Sequence, residues 1–303
     1  MEENSMGLYK GNTGWVRVLV IAFPYIIVVA LFQLIAYAIL GIDFSKIGKA
    51  SMSGNLAHEA LMILFSLLGT VSVVWLFVKT IDRRKFISIG LQLKGFKHYL
   101  TGGLLLGFIT IGLGFLILLM LGQVKVTSFD FSVSDLILSI AIFTFISLSE
   151  EILCRGYILR NLMISFNRYL ALFISSLVFA ALHLANSHLG WIGFTNLFLA
   201  GIILGLPYIY TKNLWFPIGM HLTWNLAQAL LGFNVSGNAS YSMLSLSHSG
   251  NPYMHGGEFG FEGSIICTII SLATIGMLWR YYSGKEKAMR IAHSAQADLL
   301  SKP

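Results

Sequence analysis

Apolar runs separated by short polar breaks organise the chain. They fall at residues 15–40, 59–78, 99–121, 133–155, 170–183, 191–210, 214–231 and 263–279. A helix needs about 20 residues to cross the hydrocarbon core of a bilayer. The pattern therefore predicts an all-α polytopic membrane helix bundle of about eight transmembrane helices. The fifth run is short for a span. The third is rich in glycine (Gly102, Gly103, Gly107, Gly112, Gly114), and the first carries Pro24. No internal repeat or linker interrupts the series. The chain reads as one membrane domain in three stretches: N-terminal helices over 1–130, a chemistry-bearing core over 131–232, and an external loop, last helix and charged tail over 233–303.

Composition agrees. Of the 303 residues, 56% are hydrophobic and 11% charged, and the mean hydropathy is +0.77. Soluble domains carry about 25% charged residues. The net charge of +7 is spread over short loops, so it points to loop orientation and not to nucleic acid. With both termini in the cytoplasm, only Lys46, Lys49 and Lys125 fall on the outer side. Cytoplasmic loops collect Lys and Arg, which predicts a multi-pass plasma-membrane protein with cytoplasmic N- and C-termini. The stretch 232–262 has no Lys or Arg and is rich in Gly, Ser and Asn. It reads as an external, flexible loop. Cys154 and Cys267 sit in apolar runs and read as small buried hydrophobes. The N-terminus lacks the pattern of a cleavable signal peptide.

Against this background Glu150, Glu151 and Arg155 stand out. Ionisable groups inside a membrane cost roughly 2.5–3.5 kcal/mol each on insertion scales and mark functional sites by default. On a helix Glu151 and Arg155 are i, i+4, acid first, the favourable order for a pair that neutralises itself. Glu150 points about 100° away and is left free. His221 and Asn225 are also i, i+4. His183 ends the fifth run with Phe179 one turn behind it. Asn196 lies on the sixth run with Gly201 and Gly205, whose spacing permits close helix approach and would hold Asn196 near the others.

A desolvated glutamate can act as general base on water. A histidine can orient that water, and a second histidine with an amide can donate to an oxyanion. Two histidines and a glutamate also form a catalytic zinc ligand set, so Glu150, His183 and His221 are metal candidates and Zn2+ is a candidate cofactor. A single His or Asn in a membrane helix is most often interhelical glue, worth about 0.6 kcal/mol; the conjunction makes the difference. His58-Glu59 lacks the second histidine of a zinc-protease motif and reads as an interface pair. Asp130 and Asp135 read as solvated or capping groups, and His188, His248 and His255 as loop residues.

The ordered set Glu150-Glu151-x-x-x-Arg155, Phe179-x-x-x-His183, Asn196 with Gly201 and Gly205, and His221-x-x-x-Asn225 resembles the CAAX protease and bacteriocin-processing (CPBP, or Abi) family of intramembrane proteases. That family includes the Ras-converting prenyl-protein proteases. The resemblance covers about residues 130–230. It implies an intramembrane endopeptidase, with Glu150 and His183 activating water and His221 and Asn225 on the oxyanion side. Glu151, Arg155 and Asn196 would support them. The partners implied are a peptide or membrane-protein substrate and the lipid bilayer. The family is described both as metalloproteases and as glutamate proteases. Bacterial relatives are linked to bacteriocin processing or immunity, so a non-proteolytic membrane regulator of the same fold is the alternative function.

Depth can be counted along the runs. Taking Arg155 as a cytoplasmic surface residue puts Glu150 roughly 8 Å deep at 1.5 Å per residue. Counting from Lys212 puts His221 roughly 13 Å deep, and counting from Arg168 puts His183 roughly 22 Å deep. Letting 164–169 enter the core removes the mismatch. The count then predicts a site opening towards the cytoplasmic leaflet.

Overall fold

The computed structural model describes residues 13–42 and 55–300. Lys10, Lys46, Lys49 and Lys302, all used in the charge count, lie outside them.

The apolar runs are helices: α1 (Gly14–Ile39), α2 (Leu56–Thr80), α3 (Lys97–Met120), α4 (Val133–Glu151), α5 (Arg160–Ser165), α6 (Arg168–Ala181), α7 (Trp191–Thr211) and α8 (Trp215–Leu230), followed by a short α9 (Pro252–His255) and the long α10 (Ile265–Leu300). A π-helical segment, Ile152–Leu159, joins α4 to α5 and makes 133–165 one continuous rod. Side-chain caps start several helices. Asn55 accepts from the N–H groups of Ala57 and His58 at α2, and Asn167 from Tyr169 and Leu170 at α6. Such caps satisfy N–H groups that a helix start leaves unpaired. By length and composition, six helices among the described residues can cross a membrane. α6 and α8, at 14 and 16 residues, are shorter, and the count of eight spans is not reached.

The bundle packs α3 on α8, α1 on α2, α6 on α7 and α10, through α7, on the rest, with α4 between α2 and α8. Outward faces are apolar: Phe23, Leu105, Phe108 and Ile137 are all exposed. In a membrane that face is covered by lipid. The α3–α8 seam is a close approach, because a Cβ at Gly103 would run into the carbonyl of Phe216, and one at Gly107 would meet that of Met220.

Two predictions change here. The stretch 232–262 is not a loose loop. It contains β2 (Leu244–His248), which pairs antiparallel with β1 (Val124–Phe129) in the register Val124↔His248 and Phe129↔Leu244. Side chains also fasten it: Gln228 donates to the carbonyl of Asn234, and Asn186 to that of Ser236. The second change concerns Arg155. It is 1% exposed and the rod continues past it, so it is not a surface marker. The basic groups at this end of the rod are Arg160, bonded to the carbonyl of Ser88, and Lys212, which reaches Met163 and the carbonyl of Ile209. Glu150 is ten residues from Arg160, roughly 15 Å along the rod. That brings Glu150 close to the roughly 13 Å counted for His221, while His183, counted from Arg168, stays deeper at roughly 22 Å.

Candidate active site

Three elements deliver the acid–histidine cluster. α4 ends at Glu151, and its last turn is fixed by a chain of hydroxyls. Tyr25 on α1 bonds Thr70 on α2 (3.2 Å), and Thr70 bonds Ser149 (2.9 Å). The π-helical turn begins at the next residue. Such insertions interrupt the i→i+4 ladder and recur at functional sites. α6 stops at Ala181, and His183 follows in the turn beyond it, not on the helix as the sequence pattern suggested. α8 carries His221 and Asn225 one turn apart.

Glu151 and Arg155 pair at 2.8 Å, with the two side chains 0% and 1% exposed. The second guanidinium nitrogen donates to the carbonyl of Gly201 at 3.2 Å, and the cation lies 4.4 Å from the centre of the Phe179 ring. One buried arginine thus ties together the α4 rod, α6 and α7. The same Glu151 oxygen sits 2.9 Å from Nδ1 of His221. His183 Nδ1 sits 2.8 Å from the carbonyl of Phe179. A carbonyl only accepts and a carboxylate normally does, so both Nδ1 atoms carry protons and donate. Both Nε2 atoms are therefore turned the other way.

They face Glu150. Its Oε2 is 3.9 Å from Nε2 of His183 and 3.9 Å from Nε2 of His221. That oxygen is buried and makes no hydrogen bond among the described residues. A gap of 3.9 Å is too long for a direct bond and suits a small molecule bridging the groups, as water commonly does. Phe179 packs at 4.9 Å from the His183 ring and 6.2 Å from the His221 ring, edge to face with the latter. It fixes both imidazoles and supports Arg155, more than the stacking on His183 that its spacing suggested.

Zinc donors lie about 2.0–2.2 Å from the ion, which in a tetrahedral site sets neighbouring donors roughly 3.3 Å apart. Glu150 stands farther than that from each histidine, and no trio of His, Cys, Asp or Glu among the described residues could hold an ion. The ligand set Glu150, His183 and His221 is right in kind but does not fit zinc in this arrangement.

Glu150, His183, His221 and Asn225 all line one cavity of about 1150 Å³. Asn225 is 6% exposed and its amide makes no hydrogen bond among the described residues. Asn196 is elsewhere. Its amide donates to the carbonyls of Glu262 (2.7 Å) and Ser264 (2.9 Å) and accepts from Thr268 (2.7 Å). The glycines beside it serve the α6 contact instead: a Cβ on Gly201 would stand 2.8 Å from Ser176. Glu59, read from the sequence as an interface residue, lines the cavity. So does Glu262, which sequence reasoning passed over. Glu262 is 5% exposed and accepts from Trp224 Nε1 (3.2 Å) and from the amide and hydroxyl of Ser236 (2.8 and 2.7 Å). The signal available was an acid between Phe259 and Phe261 and the last apolar run, in a stretch without a single cation.

The cavity does not lead towards the basic end of the bundle. Its outer lining is Asn55, Leu56 and Glu59 at the start of α2, Tyr37 near the end of α1, and residues 235–241. Those elements lie at the end opposite Arg160 and Lys212. The expected opening towards the cytoplasmic leaflet rested on depths counted from Arg155, Lys212 and Arg168; of these, Arg155 is buried, and the cavity lining runs to the end away from Arg160 and Lys212.

No curated protein and no solved structure matches the chain. A family model does: residues 132–227 match the Type II CAAX prenyl endopeptidase Rce1-like family. The matched stretch runs from the cap of α4 to α8 and contains Glu150, Glu151, Arg155, His183, Asn196, His221 and Asn225. In this multi-pass helical membrane protein, the stretch that carries the acid–histidine cluster is thus the part that matches an Rce1-like type II CAAX prenyl endopeptidase domain.

Proposed function

We propose that the protein is an intramembrane endopeptidase in which Glu150 is the general base. The observation that carries this is the orphan Oε2 of Glu150, equidistant from two imidazole nitrogens on a cavity wall. A water bound there can donate one O–H to Glu150 and the other to Nε2 of His183. Glu150 takes one of its protons as the oxygen attacks the scissile carbonyl carbon, and Nε2 of His183 accepts the other O–H and orients it. The C=O π electrons move to the oxygen. Asn225 donates to that oxyanion, and His221 does so when protonated on Nε2, with Glu151 as counter-charge across the ring. Collapse of the intermediate breaks the C–N bond, and Glu150 returns its proton to the departing nitrogen. Glu151 and Arg155 position the histidine and hold the helices. The working part is the stretch 131–232, closed at its outer end by 233–262.

The substrate is a peptide or a membrane-protein segment. The basic end of the bundle faces the cytoplasm of a plasma-membrane protein, and the cavity opens towards the other face. Peptide profiles of membranes from cells expressing wild-type or Glu150→Gln protein test the assignment. Defined fragments present only with the wild type support it; identical profiles contradict it.

A further inference from the structure

Part of the cavity wall is a piece of chain whose main-chain groups bond no other group among the described residues. Ser236 is pinned by Glu262, which accepts from its amide and hydroxyl, and by Asn186, which donates to its carbonyl at 2.9 Å. Tyr241 is pinned five residues later. Its hydroxyl accepts from the Ser132 amide at 2.8 Å and lies 3.4 Å from the Asp130 carbonyl. The chain then enters β2. From residue 239 to residue 242, the N–H and C=O groups make no hydrogen bond among the described residues. Ala239, Ser240 and Tyr241 line the cavity. Ala239 is exposed and 240–242 are half-buried, so their main-chain donors and acceptors are accessible to a partner chain, and a fixed, unpaired stretch is a template for strand addition.

Two further features agree. A scissile bond in an α-helix has its carbonyl engaged by the i+4 amide, so hydrolysis needs an extended peptide. The cavity lining also holds three carboxylates, Glu59, Glu150 and Glu262, and no Lys or Arg, which selects against an acidic occupant. The distance is suitable. Trp224, bonded to Glu262, is three residues from His221, about 4.5 Å along α8. A peptide paired with 239–242 that runs on past Ser236 continues towards the cluster at roughly 3.3 Å per residue.

We propose that residues 239–242 are a substrate-binding strand, taking the main chain of an extended, neutral or cationic peptide and leading its scissile bond to Glu150. This rests on the peptidase reading above. In a paired strand, alternate residues hydrogen-bond to the neighbour, which gives the test its signature. The probe is a quenched fluorescent peptide, selected from a random library for cleavage by the wild-type protein in phosphatidylethanolamine–phosphatidylglycerol vesicles. N-methylation is scanned along it. Every second position on one side of the cleaved bond should lower kcat/KM about tenfold or more, with small effects between. On the protein side, one of Ala239→Pro and Ser240→Pro should raise KM strongly and the other weakly, while Ser240→Ala changes little. Losses that fail to alternate, or two proline variants with unchanged KM, overturn the proposal. If a proline variant does not fold, the N-methyl scan alone decides. Cleavage that persists in Glu150→Gln would overturn the role of Glu150 while leaving the alternation readable.

Discussion

Glu151 and Arg155 are the groups near the site whose loss should do most structural damage. Removing one member of a buried ion pair leaves an uncompensated charge and costs about 3–5 kcal/mol. Arg155→Leu also frees the carbonyl of Gly201 and uncovers Phe179. Thermal unfolding in detergent should therefore fall sharply for Glu151→Leu and for Arg155→Leu, and less for the double replacement. Equal losses in all three would show that the pair is not the coupling element. Asn196→Ala makes a contrasting case. Its amide is spent on Glu262, Ser264 and Thr268, so the expected result is lower stability with kcat nearly unchanged once folded protein is compared. Zinc chelation belongs at this scale too. Glu150 stands too far from both histidines for a common ion, so a zinc chelator should leave cleavage intact; loss restored specifically by added Zn2+ would contradict the spacing argument.

At the scale of elements, much was legible in the sequence. Eight apolar runs became helices in the expected order, because a 20-residue apolar run in a membrane has few other ways to satisfy its backbone. Glu151 and Arg155 could be paired from i, i+4 spacing alone. Three things were not legible. The π-helical turn after Glu151 keeps the same residues and only shifts the hydrogen-bond ladder. Burial of Arg155 depends on Gly201 and Phe179, which are distant in sequence. The fastening of 232–262 uses Glu262 and Asn186, which composition cannot pair, so a Gly/Ser/Asn-rich stretch read as flexible. That stretch carries a pH prediction. Burial holds the His255 imidazole below its ordinary range, and nearby His248, ring to ring at 4.6 Å, adds to this. His255 Nδ1 accepts from the Gly257 amide at 3.2 Å, a bond the neutral ring makes. The unfolded chain then binds more protons than the folded one below the ordinary histidine pKa, so stability falls as pH drops through that range. Proteolysis of the outer stretch should rise between pH 7 and pH 5 in the wild type. The rise should be smaller in His255→Phe, and an identical rise would assign the effect to another group.

The whole molecule is a bundle with a basic end, an acidic cavity and a sequence-distant lid of strands over the opposite end. Charge placement and cavity placement are thus linked, and a topology experiment tests both. In a Cys154→Ser, Cys267→Ser background, Ser240→Cys should react with a membrane-impermeant maleimide added to intact cells, and Arg84→Cys only after permeabilisation. The reverse pattern would put the cavity mouth in the cytoplasm.

The central claim is that Glu150 performs the chemistry and does not merely fill a wall. It is tested by single-turnover cleavage, in vesicles, of a peptide identified from the membrane profiles, comparing wild-type and Glu150→Gln proteins with matched unfolding temperatures. General-base catalysis contributes about 10²–10⁴-fold, and the account predicts a loss of that size with peptide binding retained. A Glu150→Gln protein that cleaves at the wild-type rate would contradict it.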